Sequence, residues 1–119
     1  MPDTPLLDLE ETLDRMAGDK ELLANLFELF LTDAPQKLAS LLQYETESDM
    51  YQLSRIAHSL KGSSATVGAT RLFQAAQALE LAAKDGDMAT AAAKRQDIEK
   101  ICHDTFIAMR TFCAERDNA

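Results

Sequence analysis

The sequence predicts an all-α protein: an antiparallel up-down four-helix bundle with a short extra helix at its N-terminus. Three observations lead there. Only four glycines and three prolines interrupt 119 residues, so little stands in the way of long helices. Apolar side chains recur at i, i+3, i+4 and i+7, and no alternating pattern marks a strand. Four of the helical segments are long and joined by short connections, which suits antiparallel neighbours.

The first helix is expected over about residues 8–16, carrying Leu9, Leu13 and Met16 and ending near Gly18. Asp19 is a good N-cap for the second, where Leu22, Leu23, Leu26, Phe27 and Phe30 are resumed by Leu38, Leu41 and Leu42. Pro35 interrupts that run, but the apolar phase continues across it, so a bend is expected rather than two helices. Ser48-Asp49 opens the third helix, which runs to about Ala65 or Val67 and is closed by Gly68. Ala69 or Thr70 starts the fourth, with Leu72, Ala76, Leu79 and Ala83 on one stripe. Asp85-Gly86-Asp87 is a turn. The last helix runs from about Met88 to Arg116, with Ala91, Arg95, Ile98, Cys102, Thr105, Met109 and Phe112 on its inner side.

The length fits one domain over residues 1–119, and a hydrophobic content of 46% supports a core without disulfides or metal. The longest apolar run is too short to span a bilayer, and Met1-Pro2-Asp3-Thr4-Pro5 has no secretory character. A monomeric cytoplasmic domain is expected, whether free-standing or cut from a longer chain. A net charge of −8 disfavours nucleic acid and anionic membrane as partners. Arg55, Lys61 and Arg71 are expected to form a local positive exception. Cys102 and Cys113 fall about 16 Å apart along one helix, too far for a disulfide, and read as reduced, buried residues. His103 completes no zinc pattern and reads as structural or solvated.

Chemistry concentrates between Ala57 and Gly68. On a helix, Leu53, Ile56, Ala57, Leu60, Ser64 and Val67 share one side, and His58 lies roughly 140° from the centre of that stripe. Its helical neighbours are Arg55, Lys61, Gly62 and Ala65. The imidazole should therefore face solvent beside positive charge, over a floor with little side-chain bulk, where another protein can reach it. Neutral imidazole is nucleophilic near pH 7 and can accept a phosphoryl group and release it. Phosphoryl transfer asks for in-line positioning and charge stabilisation. Lys61, its head expected in solvent, supplies the charge, and Gly62 gives clearance at a cost of about 1 kcal/mol relative to alanine.

His58-Ser59-Leu60-Lys61-Gly62-Ser63-Ser64-Ala65, followed by Gly68, resembles the signature of the histidine-containing phosphotransfer domain family. The leading helix before Gly18-Asp19, the Phe30-Leu31 … Asp33-Ala34-Pro35 segment and Leu72 … Leu79-Glu80 are similar to the family over nearly the whole chain. The resemblance implies a four-helix bundle with an extra N-terminal helix that carries phosphate between receiver domains. His58 matches the phosphoacceptor, Lys61 the charge-stabilising lysine and Gly62 the clearance glycine. Some members orient the histidine ring with a glutamine on the fourth helix; Glu80 stands at the matching position, with Gln77 as the alternative. Family members dock receivers through apolar residues near the histidine, for which Leu13, Met16, Leu23 and Phe27 are the candidates, with Arg55 and Ala65 flanking the ring.

The implied partners are response-regulator receiver domains and a hybrid sensor kinase. No cofactor is expected on this chain, and magnesium should belong to the receiver. A sensor-kinase phosphoacceptor helix fits less well, since Ser59 and Ser63 stand where such segments carry an acidic residue and a proline. No glycine-rich phosphate loop or Asp-x-Gly-x-Gly occurs, so a carrier is expected rather than an ATP-using enzyme. The alternative is a non-catalytic helical adaptor that binds receiver domains without accepting phosphate.

Overall fold

The computed structural model describes residues 4–117. Residues 1–3, part of the opening stretch expected to lack secretory character, and residues 118–119 lie outside them. Five α-helices follow one another: α1 (Leu9–Arg15), α2 (Lys20–Gln43), α3 (Met50–Thr66), α4 (Thr70–Lys84) and α5 (Met88–Asp117). One 3₁₀ turn, Glu47–Asp49, precedes α3, and no strand occurs among the described residues.

The long helices pack as a closed cycle, α2 against α3 and α5, and α4 against α3 and α5. Between them lie Leu23, Phe27, Leu41, Leu53, Leu60, Leu72, Leu79, Ile98 and Met109, all fully buried. Each such side chain contributes roughly 1.5–3 kcal/mol by leaving water, which outweighs the weak propensity differences along the helices.

Local signals set most helix ends. Asp8 Oδ1 accepts from Glu11 N–H at 3.2 Å to start α1, and Asp19 Oδ1 accepts from Leu22 N–H at 3.0 Å to start α2. At α3 the expected opening differs. Asp49 makes no side-chain cap to α3; its Oδ2 accepts from Thr46 N–H at 3.1 Å and from the Thr46 hydroxyl at 2.9 Å. Those bonds hold the Asp49 carboxyl below its ordinary range, and the Thr46 side chain accepts from the Asp49 N–H in return, a reciprocal box on the 3₁₀ turn. Pro35 leaves α2 a single 24-residue helix. It removes one N–H from the ladder, but Phe27 and Phe30 before it and Ala34 and Leu41 around it remain buried on one face, which holds both halves together.

Helix α1 is fastened to the turn between α3 and α4. Asp8 N–H donates to Gly68 O at 2.9 Å, and Arg15 Nη2 donates to Ala65 O at 3.3 Å. Gly68 has φ +71°, and a Cβ there would lie 1.9 Å from Thr12 Oγ1, so both backbone conformation and close approach require glycine.

On α5 the expected stripe is buried at Ala91, Ile98, Cys102, Thr105 and Met109 but only half-buried at Arg95 and Phe112. Phe106 and Cys113 are also buried, because α5 contacts both α2 and α4 and needs a wider apolar face. Phe106 meets Phe30 edge-on at 6.2 Å, and Phe112 meets Phe27 at 5.2 Å. Both cysteines are free and buried; burial pushes the Cys102 thiol up to about 12.

Candidate functional site

Helix α3 buries Leu53, Ala57, Leu60 and Ser64 and is followed by buried Val67, and this orientation turns His58 outward. The imidazole side chain is 67% exposed. Beneath it lies Glu80 of α4, whose side chain is 5% exposed. His58 Nδ1 stands 2.8 Å from Glu80 Oε2, Lys61 Nζ 2.8 Å from Oε1, and Lys84 Nζ 3.1 Å from Oε2. One carboxylate thus gathers a histidine and two lysines across the seam between α3 and α4.

The ion pairs determine its charge. The Lys61 hydrogen bond is the largest influence; it and those from Lys84 and His58 outweigh burial and hold the Glu80 carboxyl at about 2, against an ordinary 4.5. At neutral pH Glu80 is therefore an acceptor only, and the neutral form of the ring places its one proton on Nδ1. Nδ1–H donates to Glu80, and Nε2 is left with a free lone pair on the exposed side of the ring. A neutral, oriented nucleophile beside two ammonium groups can attack phosphorus and tolerate the charge it brings.

Several expectations are corrected. Lys61 does not hold its head in open solvent; its side chain is only 23% exposed, because the buried carboxylate draws the ammonium inward. Arg71 does not belong to the histidine's positive surroundings. Its guanidinium donates to Thr4 O at 2.7 and 3.0 Å, nine residues and about 13 Å along α4 from Glu80. Lys84 takes its place, and the signal was available: a glutamate followed four residues later by lysine is a familiar helical pair. Glu80, not Gln77, is the residue on the ring.

Gly62 is exposed, and a Cβ built on it would meet nothing within 4 Å. No neighbouring helix requires this glycine, so close packing does not explain it. Arg55 and Ala65 are exposed on the same helix; Arg55 Nη1 donates to the Tyr51 hydroxyl at 3.1 Å.

The apolar docking candidates divide. Leu23 and Phe27 are fully buried and can touch no partner, because α2 turns that stripe into the core. Leu13 and Met16 are half-buried against the core. The large apolar side chains that α2 does expose are Leu22 and Leu29, with half-buried Leu26 between them. Leu26 and Leu29 line a groove of about 450 Å³ with Ser63, Thr66 and Val67. Thr66 Oγ1 donates to Gly62 O at 3.2 Å, so this groove borders the bare stretch of the histidine helix.

Among the described residues, no group of three or more His, Cys, Asp or Glu side chains is placed to hold a metal ion, and no helix is long and apolar enough to cross a membrane. His103 is exposed on α5, away from this seam.

No curated protein and no solved structure matches the chain. A family model does: that of the Hpt domain, over residues 25–112. The matched segment contains both sides of the His58–Glu80 seam and most of every long helix. The match covers most of the chain, so this chain belongs to the Hpt domain family, the phosphotransfer carriers of two-component signalling.

Proposed function

We propose that His58 is the phosphoacceptor, taking its phosphoryl group from the aspartyl phosphate of one receiver domain and passing it to the aspartate of another. The observation that carries this reading is the hydrogen bond from His58 Nδ1 to the ionised Glu80, which leaves Nε2 as an exposed nucleophile. The Nε2 lone pair attacks phosphorus in line; the bond from phosphorus to the aspartyl oxygen breaks, and its electron pair leaves with the carboxylate. The ring then bears a positive charge with its proton still on Nδ1, opposite Glu80. In the second transfer an incoming carboxylate oxygen attacks phosphorus, and the electron pair of the P–N bond returns to the ring. No net proton movement is needed in either direction.

The receiver lands across the exposed side of α3, over Arg55, Gly62 and Ala65, with the leucines of α2 as its apolar contact. The leucine stripe's position beside Gly62 supports this, as does the open space over the glycine itself. Magnesium sits on the receiver, since Lys61 and Lys84 already occupy the one carboxylate beside His58. The chain acts as a monomeric cytoplasmic domain whose four long helices run alternately up and down. The three-residue connections at 67–69 and 85–87 between adjacent helices support that topology. A hybrid sensor kinase supplies the phosphorylated receiver.

The test is uptake of labelled phosphate from a receiver charged with acetyl phosphate in magnesium. Acid-labile, base-stable label on this chain, lost in His58→Gln, is the expected result. Label that persists in His58→Gln would move the role elsewhere, and a chain that binds the receiver without taking label would be an adaptor.

A further inference from the structure

The two lysines on Glu80 are not equivalent. Among the described residues Lys61 is the only side chain on Oε1, at 2.8 Å, and is itself largely withdrawn from solvent at 23% exposure. Removing it leaves a nearly buried carboxylate without its principal partner, so its place is fixed by the charge beneath it. Lys84 is 60% exposed and shares Oε2 with the imidazole. If Lys84 departs, Oε2 keeps the Nδ1–H of His58 and Oε1 keeps Lys61. The Lys84 ammonium lies toward solvent although its partner carboxylate is nearly buried, and a lysine's long stem lets that ammonium move to a stronger anion.

We infer that Lys84 is the cation that leaves Glu80 to meet the phosphoryl group on His58, while Lys61 stays behind to hold Glu80 in place. The inference rests on the proposed function, because it concerns the phosphorylated ring. A phosphoryl group on Nε2 places close to two negative charges next to the one ammonium that can be released without stranding a buried charge. No covalent bond forms at Lys84; its three N–H donors exchange a carboxylate oxygen for phosphoryl oxygens. Lys84 thus touches the transferred group, and Lys61 acts through Glu80 as a positioning residue.

The experiment compares the full-length chain with Lys84→Gln, Lys84→Arg and Lys61→Gln. It measures transfer from a receiver charged with acetyl phosphate, thermal unfolding, and the pH titration of the phosphohistidine by phosphorus NMR. Lys84→Gln should slow transfer about tenfold or more while lowering Tm by less than about 3 °C. Its phosphoryl group should titrate at higher pH, since the cation that favours the dianion is gone. Lys84→Arg should restore most of the rate. Lys61→Gln should lower Tm by about 5 °C or more. An unchanged rate and an unchanged phosphorus titration in Lys84→Gln, with wild-type chain fully labelled, would overturn the assignment of Lys84 alone. A wild-type chain that takes no label would overturn the proposed function and this assignment with it.

Discussion

At neutral pH an ionised Glu80 beside the neutral imidazole admits only the tautomer that gives it a proton, which leaves Nε2 of His58 as the nitrogen that the proposed transfer uses. The tautomer of one residue is thus set by a second on another helix, and the charge of the second by Lys61 and Lys84. Gly62 acts by omission. Its Cβ would meet nothing within 4 Å, so Gly62→Ala should stabilise the protein by roughly 1 kcal/mol in urea unfolding. Gly62→Gln should remain folded yet block transfer from the receiver, because its side chain would fill the space a partner needs. Equal transfer rates in Gly62→Gln and wild type would show that the open space has no functional use. The outward turn of His58 was legible in the phase of Leu53, Ala57 and Leu60, whereas the inward pull on Lys61 was not. Nothing in a linear pattern says that the nearest anion is buried, and it is burial that draws the ammonium in from solvent.

Helix boundaries followed the local chemistry of caps and glycines closely, since Asp8, Asp19, Gly68 and Gly86 act within a turn of their own position. Facing was harder. Helix α2 carries two apolar stripes one residue apart, Leu22-Leu26-Leu29 and Leu23-Phe27-Phe30, and sequence spacing does not say which one the core will take. Contacts with α3 and α5 chose the second, which removed Leu23 and Phe27 from the docking candidates and left Leu22 and Leu29 exposed. The attachment of α1 tests the element scale. Gly18 and Gly68 both have positive φ, +77° and +71°, but only at Gly68 would a Cβ collide, at 1.9 Å from Thr12 Oγ1. Gly18→Ala should cost about 1 kcal/mol of stability, and Gly68→Ala about 2 kcal/mol or more, because α1 must also shift. Equal costs in denaturant unfolding would mean that α1 does not depend on that contact.

Across the whole molecule, stability and function meet at the same buried charge. Glu80 titrates at about 2 in the folded chain and near 4.5 when unfolded, so its contribution to stability is complete above pH 4.5. It is lost progressively as pH falls toward 2, and its full size is on the order of 3 kcal/mol. The stability difference between wild type and Glu80→Gln should therefore shrink as pH is lowered from 4.5 to 2, as urea unfolding at several pH values would record. A difference independent of pH would mean that the carboxylate gains nothing from its partners. The net charge of −8 gives no hint of this arrangement, because two lysines and one glutamate form a local cluster that an overall sum conceals.

The most direct test is the site of phosphorylation in the intact chain. Nitrogen–phosphorus NMR on ¹⁵N-histidine-labelled protein, charged through a receiver, should show phosphorus coupled to Nε2 of His58 with a proton retained on Nδ1. Phosphorus on Nδ1, or on His103, would contradict the central claim that Glu80 occupies one ring nitrogen and thereby frees the other.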